Sequence, residues 1–157
     1  MTNNDVIRRL RYIFDYNDNA MIGLFAAAEL NVTREQVSNW LKPDEDPDFV
    51  TCNDHQLASF LNGLINEKRG KKEGPQPVAE KKINNNLILT KLKIALNFKA
   101  EDVLEALQLA DFTLGKHELS AFFRKPGHKH FRECKDQVLR NFLKGIQIKY
   151  RDNPYSK

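Results

Sequence analysis

Apolar residues recur at intervals of three and four along most of the chain, which is the period of an amphipathic α-helix. Eight such segments are separated by turn and capping residues, among them the Tyr16 to Asn19 turn and Pro43. Alternating apolar and polar residues bounded by hairpin turns, which are typical of β-strands, are absent. The pattern therefore predicts an all-α fold with eight helices.

The second half of the chain repeats the pattern of the first at a constant offset of 82 residues and without a gap. A register shared over most of each half indicates an internal duplication. We therefore predict two tandem four-helix repeats, packed as a pseudo-symmetric helical bundle. The matched pairs include Asn3/Asn85, Asn4/Asn86, Leu10/Leu92, Ala28/Ala110, Ser38/Ser120, Phe49/Phe131, Cys52/Cys134, Asp54/Asp136, Leu57/Leu139, Phe60/Phe142, Leu61/Leu143, Gly63/Gly145 and Arg69/Arg151.

Composition places the boundaries of the two repeats. Residues 71–82 have no periodic apolar pattern and contain Pro75 and Pro77, so we predict a mobile linker there. The first repeat then spans residues 1–70 and the second spans residues 83–152. Residues 153–157 are predicted to be a disordered tail.

Short polar residues at helix starts are candidate N-caps, because their side chains accept a hydrogen bond from a free backbone N–H. Thr33 followed by Gln36 forms a capping box for the third helix. The other predicted caps are Asn3 or Asn4 for the first helix, Asp18 or Asn19 for the second, Asn53 or Asp54 for the fourth, and Asp136 for the eighth.

Gly63 and Gly145 lie inside the long last helix of each repeat, where glycine costs about 1 kcal/mol relative to alanine. An unfavourable residue at the same place in both repeats indicates close backbone packing. We predict that the two long helices pack on each other across a pseudo-twofold axis. Leucine at position 63 is then expected to be far more disruptive than alanine.

Composition excludes several classes of protein. No apolar run approaches the roughly 20 residues that span a bilayer, and the N-terminus lacks a signal-peptide pattern. Two cysteines at equivalent positions do not make a disulfide framework, and we expect both to be buried. A cytoplasmic location without a membrane partner is therefore predicted.

Charge is distributed unevenly along the chain. The net charge of +4 combines −4 for residues 1–69, +2 for residues 70–82 and +6 for residues 83–157. An acidic first repeat and a basic second repeat either attract each other or face different partners.

Four segments of the second repeat are distinctive, namely Asn84–Asn86, Phe122–Lys125, His128–Cys134 and Asp136–Gly145. Together they resemble the YehS-like family, small bacterial proteins built from two copies of a domain of unknown function. The resemblance covers nearly the whole chain. It implies a bacterial cytosolic protein with two helical repeats, and it brings no catalytic assignment. The first repeat keeps the apolar skeleton but lacks the basic residues of the second.

The second repeat carries a dense group of basic residues, and Arg140, Lys144 and Arg151 fall on one face of an ideal α-helix. Such a group binds phosphates, and nucleic acid is the usual polyanion. A solvated helix face that partly balances the acidic repeat is the alternative reading. The candidate polyanion-binding residues are Arg124, Lys125, His128, Lys129, His130, Arg132, Arg140, Lys144 and Arg151.

Other chemistries find weaker support. His117, His128, His130 and Cys134 are metal-ligand types, but their spacing matches no standard zinc site. The pairs His130/Cys134 and His117/Ser120 lack the surroundings of an activated nucleophile. The seven glycines are scattered, so no phosphate-cradling loop and no cofactor is expected.

The preferred hypothesis is a non-enzymatic binding module whose second repeat contacts nucleic acid or an acidic protein through its basic face. A protein–protein adaptor or regulatory protein is the alternative. A metal-dependent or Cys/His enzyme is the least favoured reading. The sequence leaves homodimer formation open.

Overall fold

The computed structural model describes residues 1–152, and within that range it contains eight α-helices and no strand. The predicted all-α fold is therefore confirmed. The tail predicted at residues 153–157 lies outside the described range. The helices are α1 (Asn3–Ile13), α2 (Asp18–Ala27), α3 (Arg34–Leu41), α4 (Asp54–Arg69), α5 (Asn85–Ala95), α6 (Ala100–Leu109), α7 (Lys116–Ala121) and α8 (Asp136–Gln147), and a π-helical turn at Ile148–Asp152 extends α8.

The chain divides into two compact units, Met1–Ile83 and the residues from Asn84 onward. The most extensive helix pairing is α2 with α4 in the first unit and α6 with α8 in the second. In the first core, the ring of Phe25 lies 5.4 Å from the rings of both Trp40 and Phe60. Each unit thus encloses its own apolar core, as two tandem repeats require.

The helix starts differ from several of the predicted caps. Thr2, and not Asn3 or Asn4, caps α1. Its hydroxyl accepts a hydrogen bond from the Asp5 N–H at 3.1 Å, and the Asp5 carboxylate accepts one from the Thr2 N–H at 2.8 Å. Both asparagines therefore lie inside the first turn of α1, where their side chains are free for other contacts.

The remaining caps were predicted with mixed success. The Thr33 capping box is confirmed. Asn17 caps α2, so Asp18 and Asn19 were wrong predictions. Asn53 caps α4, which places Asp54 inside the helix. Asp136 was also a wrong prediction, because Lys135 occupies the cap position of α8 and makes no side-chain capping bond.

Gly63 and Gly145 mark two very close helix contacts. A Cβ atom on Gly63 would lie 1.8 Å from the carbonyl oxygen of Leu24, and one on Gly145 would lie 1.8 Å from that of Ala106. Close backbone packing is thus confirmed, but each partner is the second helix of the same repeat. The close approach at each glycine is therefore explained within its own repeat, and the backbone contact excludes alanine as well as leucine.

Within residues 1–152, four residues other than glycine adopt a left-handed backbone conformation, and they form two matched pairs. Asp15 and Asn97 have φ values of 55° and 56°, and Glu29 and Asp111 have values of 63° and 58°. Each pair is separated by 82 residues and follows the first or second helix of its repeat. The duplication therefore extends to the conformation of single residues.

The segment predicted as a linker, residues 71–82, has no helix. It belongs to the first compact unit, and parts of it contact the helices of that unit. Ala79 is buried, and the Asn66 amide bonds the Gln76 side chain at 3.1 Å. The Ile83 N–H donates to the Asp54 carboxylate at 3.1 Å. Among the described residues, no helix combines the length and apolar character that crossing a lipid bilayer requires.

Candidate functional site

A buried asparagine in α1 fixes the loop that joins α3 to α4. The Asn4 amide nitrogen donates to the carbonyl oxygens of Trp40 and Val50, each at 2.9 Å. Its carbonyl oxygen accepts from the Cys52 N–H at 3.0 Å. One side chain thus satisfies three backbone groups at both ends of the loop, which would otherwise be buried without partners.

The second repeat reproduces this arrangement bond for bond. The Asn86 amide nitrogen donates to the carbonyl oxygens of Phe122 at 3.0 Å and Arg132 at 2.8 Å. Its carbonyl oxygen accepts from the Cys134 N–H at 2.9 Å. Asn86 on α5 therefore holds both ends of the loop that joins α7 to α8.

The preceding asparagine of each repeat holds the start of the long helix. Asn3 donates to the Cys52 carbonyl at 3.1 Å and to the Asp54 carboxylate at 2.8 Å. Asn85 makes the same two bonds to Cys134 and Asp136, at 3.0 and 2.7 Å. The hydrogen bond from Asn3 lowers the pKa of the Asp54 carboxyl below its ordinary value.

In the first repeat, two of the four carboxylates in the loop at residues 42–50 (the acidic loop) form ion pairs with nearby cations. Arg8 donates to the Lys42 carbonyl at 2.6 Å and pairs with Asp44 at 3.1 Å. The Lys42 ammonium donates to the Asn39 side chain at 2.8 Å and lies 3.8 Å from the Asp48 carboxylate. Both ends of the acidic loop are therefore tied to charged or polar partners.

The loop at residues 124–132 (the basic loop) is held by the same backbone anchors. The residues that pair with the acidic loop are not present at the equivalent positions. Thr90 replaces Arg8, Pro126 replaces Asp44, and His130 replaces Asp48 at the 82-residue offset. Ala121 stands at the position of Asn39. As a result Arg124, at the position of Lys42, has no carboxylate or amide partner among residues 1–152.

His128 has a local structural role within the basic loop. Its Nδ1 accepts a hydrogen bond from the His130 N–H at 3.0 Å. Asp46 does the same in the first repeat, where its carboxylate accepts from the Asp48 N–H at 2.8 Å. His128 therefore shapes the turn of the loop, and an unprotonated Nδ1 is needed to do so.

An open groove of about 610 Å³ lies between α7 and the basic loop. Its two carboxylates are already engaged, because Glu118 accepts from the Gly115 N–H at 3.2 Å and Glu133 pairs with Lys135 at 3.3 Å. The groove therefore holds two guanidinium groups, Arg124 and Arg132, beside two carboxylates that each have a partner of their own. Its lining residues are His117, Glu118, Ser120, Ala121, Phe122, Arg124, His130, Arg132 and Glu133.

The predicted polyanion-binding residues fall into four places. Arg124, His130 and Arg132 line the groove. Lys125, His128 and Lys129 are exposed on the basic loop outside it, and Arg140 and Lys144 are exposed on α8. Arg151 is half-buried in the π-helical turn, so the regular spacing on which its shared face with Arg140 depended ends at Gln147.

Both cysteines are buried, as predicted. Cys52 and Cys134 are each 1% exposed, and their thiols lie 3.8 Å from the carbonyl oxygens of Asn53 and Lys135. Burial raises the pKa of each thiol from 9.0 to about 12, and the charge of the neighbouring Asp54 or Asp136 acts in the same direction. Neither thiol is activated as a nucleophile at neutral pH.

The candidate metal ligands are not gathered into one cluster. The rings of His128 and His130 lie 5.4 Å apart on the exposed loop, whereas the Cys134 thiol is buried. Within residues 1–152, no three side chains of His, Cys, Asp or Glu are placed to hold a metal ion.

The raised pKa values predict slow thiol chemistry in the folded protein. With DTNB at pH 8, we expect both cysteines to react at least about 100-fold more slowly than in denaturant, because few thiolates form and both are covered. Two thiols should titrate after unfolding in urea. A cysteine that reacts at the unfolded rate in native buffer would contradict its burial.

A family described as "Protein of unknown function (DUF1456)" matches residues 3–70 and again residues 85–152. The chain belongs to the DUF1456 family. The uncharacterized protein YehS of Escherichia coli (strain K12) is 44% identical over 147 residues, which cover 93% of this chain and 94% of YehS. The resemblance to YehS-like proteins with two tandem domains is thus confirmed. No solved structure matches the chain.

The two family matches coincide with the two sets of helices. Each match begins at the first asparagine of the Asn3–Asn4 or Asn85–Asn86 pair. The sequence shows both pairs in register, but their role as internal anchors depends on contacts with residues 36 to 51 positions away. The prediction of Asn3 or Asn4 as a helix cap missed this long-range role.

Proposed function

We propose that this protein binds nucleic acid without acting on it, and that the basic loop of the second repeat makes the principal contact. The observation that carries the proposal is that the two loops have the same backbone anchors but opposite charge. The acidic loop has one lysine and four carboxylates, whereas the basic loop has four Lys/Arg and no carboxylate.

The electrostatic argument favours a polyanion. Arg124, Lys125 and Lys129 are exposed, and no described carboxylate pairs with them. Cations that are not paired within the protein gain most from phosphate, because binding releases the counterions condensed on the nucleic acid. Arg140 and Lys144 on α8 supply a second, smaller group of exposed cations.

The geometry favours contacts to the backbone rather than to base edges. The basic loop is short and contains no helix, and α7 beside it has only six residues. An element of that length does not fill a major groove in the way a recognition helix does. Binding is therefore expected to be largely independent of sequence, with affinity dominated by phosphate contacts.

A protein partner is the second candidate function. Tyr12 and Ile94 occupy equivalent positions on the first helix of each repeat, and they are 46% and 49% exposed. Contiguous exposed apolar patches mark interaction surfaces, and these two side chains are the candidate centres of such a patch on each repeat. An adaptor would lose its partner on Tyr12→Ser or Ile94→Ser and would be insensitive to salt.

Charge reversal in the basic loop tests the nucleic-acid proposal. For Lys125→Glu with Lys129→Glu, we expect a large loss of affinity for generic DNA and RNA. The slope of log K against log salt should fall by about two, because two phosphate contacts are removed. Fluorescence anisotropy over a salt series measures both quantities.

The matched control is Lys71→Glu with Lys72→Glu, which changes the net charge equally in an exposed segment of the first unit. It should keep most of the affinity and the full salt slope. Equal losses in the two double variants would reduce the effect to overall charge. Absence of any salt-dependent binding by the unmodified protein would overturn the proposal.

A further inference from the structure

We infer that the groove between α7 and the basic loop is a discrete binding site for one phosphate group. This inference rests on the proposed function, since it names the part of the basic face that recognises the ligand. The ligand chemistry is a phosphate oxyanion, which a strand supplies either as an internal diester or as a terminal monoester.

The first argument is that the cation at one loop position is kept in both repeats, while its partners are lost in the second. In the first repeat, Lys42 is satisfied by the Asn39 amide at 2.8 Å and the Asp48 carboxylate at 3.8 Å. The second repeat has Ala121 and His130 at those two positions. Both groups that satisfy the cation are therefore gone, while the cation itself is retained as Arg124.

The formal charge of the positions that line the groove rises from −1 in the first repeat (Lys42 against Glu35 and Asp48) to 0 in the second (Arg124 and Arg132 against Glu118 and Glu133). Position 35 in the first repeat is a glutamate, and the equivalent position in the second is His117. His117 and His130 thus replace two carboxylates with groups that donate hydrogen bonds to an anion. Such replacements remove repulsion toward an anion and add donors for it.

The retained cation also suits the ligand. Arginine presents a planar fork of N–H donors that matches two phosphate oxygens at once, which a lysine ammonium does not. Arg132 on the same groove uses one Nη1 contact to the Phe131 carbonyl at 3.3 Å and keeps its other donors. The two guanidinium groups share the groove with Glu118 and Glu133, and Lys135, which pairs with Glu133 at 3.3 Å, adds one further positive charge beside it.

The groove is also held in shape before any ligand arrives. Asn86 fixes the carbonyl groups of Phe122 and Arg132, which are the points where the loop leaves and rejoins the fold. The Arg132 N–H adds a bond to the Ala121 carbonyl at 3.1 Å. A site fixed in this way spends little of its binding energy on ordering the protein.

The decisive variant rebuilds the first repeat's arrangement in the second. Ala121→Asn with His130→Asp gives Arg124 the partners that Lys42 has, on a backbone that already accepts both residues. Gln137→Asp is the matched control, because it makes the same change of net charge at an exposed position outside the groove lining. Arg124→Gln is a second variant that removes the cation without touching the fold.

The probes are inorganic phosphate and a thymidine dinucleotide that has only an internal diester, each titrated into the ¹⁵N-labelled full chain. We expect saturable shifts of backbone amides at residues 117–133. The rebuilt variant and Arg124→Gln should weaken this binding at least tenfold, and Gln137→Asp should not. A response to both probes assigns the site to any phosphate, and a response to phosphate alone assigns it to a terminal monoester.

The outcomes separate this inference from the proposed function. Shifts that persist unchanged in the rebuilt variant and in Arg124→Gln overturn the phosphate site, even if Lys125 and Lys129 still bind nucleic acid. A third outcome is that the shifts require Arg124 but the protein binds no DNA or RNA strand. That result supports the phosphate site and overturns the proposed function. No saturable shift with either probe overturns the site.

Discussion

Replacing Gly63 with alanine is expected to lower the free energy of unfolding by on the order of 3 kcal/mol. The new Cβ would lie 1.8 Å from the Leu24 carbonyl oxygen and 2.6 Å from its carbonyl carbon. Those atoms belong to the backbone of α2, so the clash is relieved only by moving one helix away from the other. Urea denaturation followed by circular dichroism measures the loss.

Gly23 supplies the control, because it is an exposed glycine in the adjacent helix. A Cβ on Gly23 meets no atom within 4 Å. Gly23→Ala should therefore stabilise the protein by about 1 kcal/mol through helix propensity alone. Gly145→Ala should repeat the loss in the second repeat. A Gly63→Ala variant as stable as the unmodified protein would show that α2 and α4 are not in backbone contact.

Removing the Asn4 side chain is the second change with a large expected effect. Asn4→Ala leaves the carbonyl groups of Trp40 and Val50 and the Cys52 N–H without their partner in the protein interior. Each unsatisfied backbone group costs about 1–3 kcal/mol, so the total loss should be about 3 kcal/mol or more. Asn4→Asp should cost more still, because a carboxylate would then face two carbonyl oxygens.

Asn31→Ala is the matched control for this experiment, since Asn31 is exposed and makes no described side-chain hydrogen bond. Its stability should stay within about 0.5 kcal/mol of the unmodified protein. Hydrogen exchange at the Cys52 amide gives a local readout, and Asn4→Ala should accelerate it. Unchanged exchange at that amide would contradict the anchoring role of Asn4.

Features that depend on periodicity were predictable from the sequence. The eight helices, the duplication and the buried positions of Leu10, Phe60 and Phe142 follow from apolar spacing, which is a local property of the chain. The conflict at Gly63 was also visible, because glycine inside a helix is unfavourable unless something requires it. Its partner Leu24 was not visible, since no local pattern states which helix approaches.

Features that depend on pairing across the chain were missed. Asn4 reads as a helix cap because capping is the commonest local use of asparagine, yet its partners lie 36 to 48 residues away. The charges of the two loops could be counted directly. The sequence did not show that Lys42 has polar partners and that Arg124 has none within residues 1–152. This difference depends on the structure, which places Asn39 and Asp48 beside the lysine.

The identical asparagine anchors have a consequence for how such a chain evolves. Because Asn4 and Asn86 hold each loop by its backbone, the path of the loop does not depend on most of its charged side chains, apart from the turn contacts of Asp46 and His128. In a duplicated unit, substitutions at the other loop positions can therefore change the surface charge of one copy while both copies keep the same backbone.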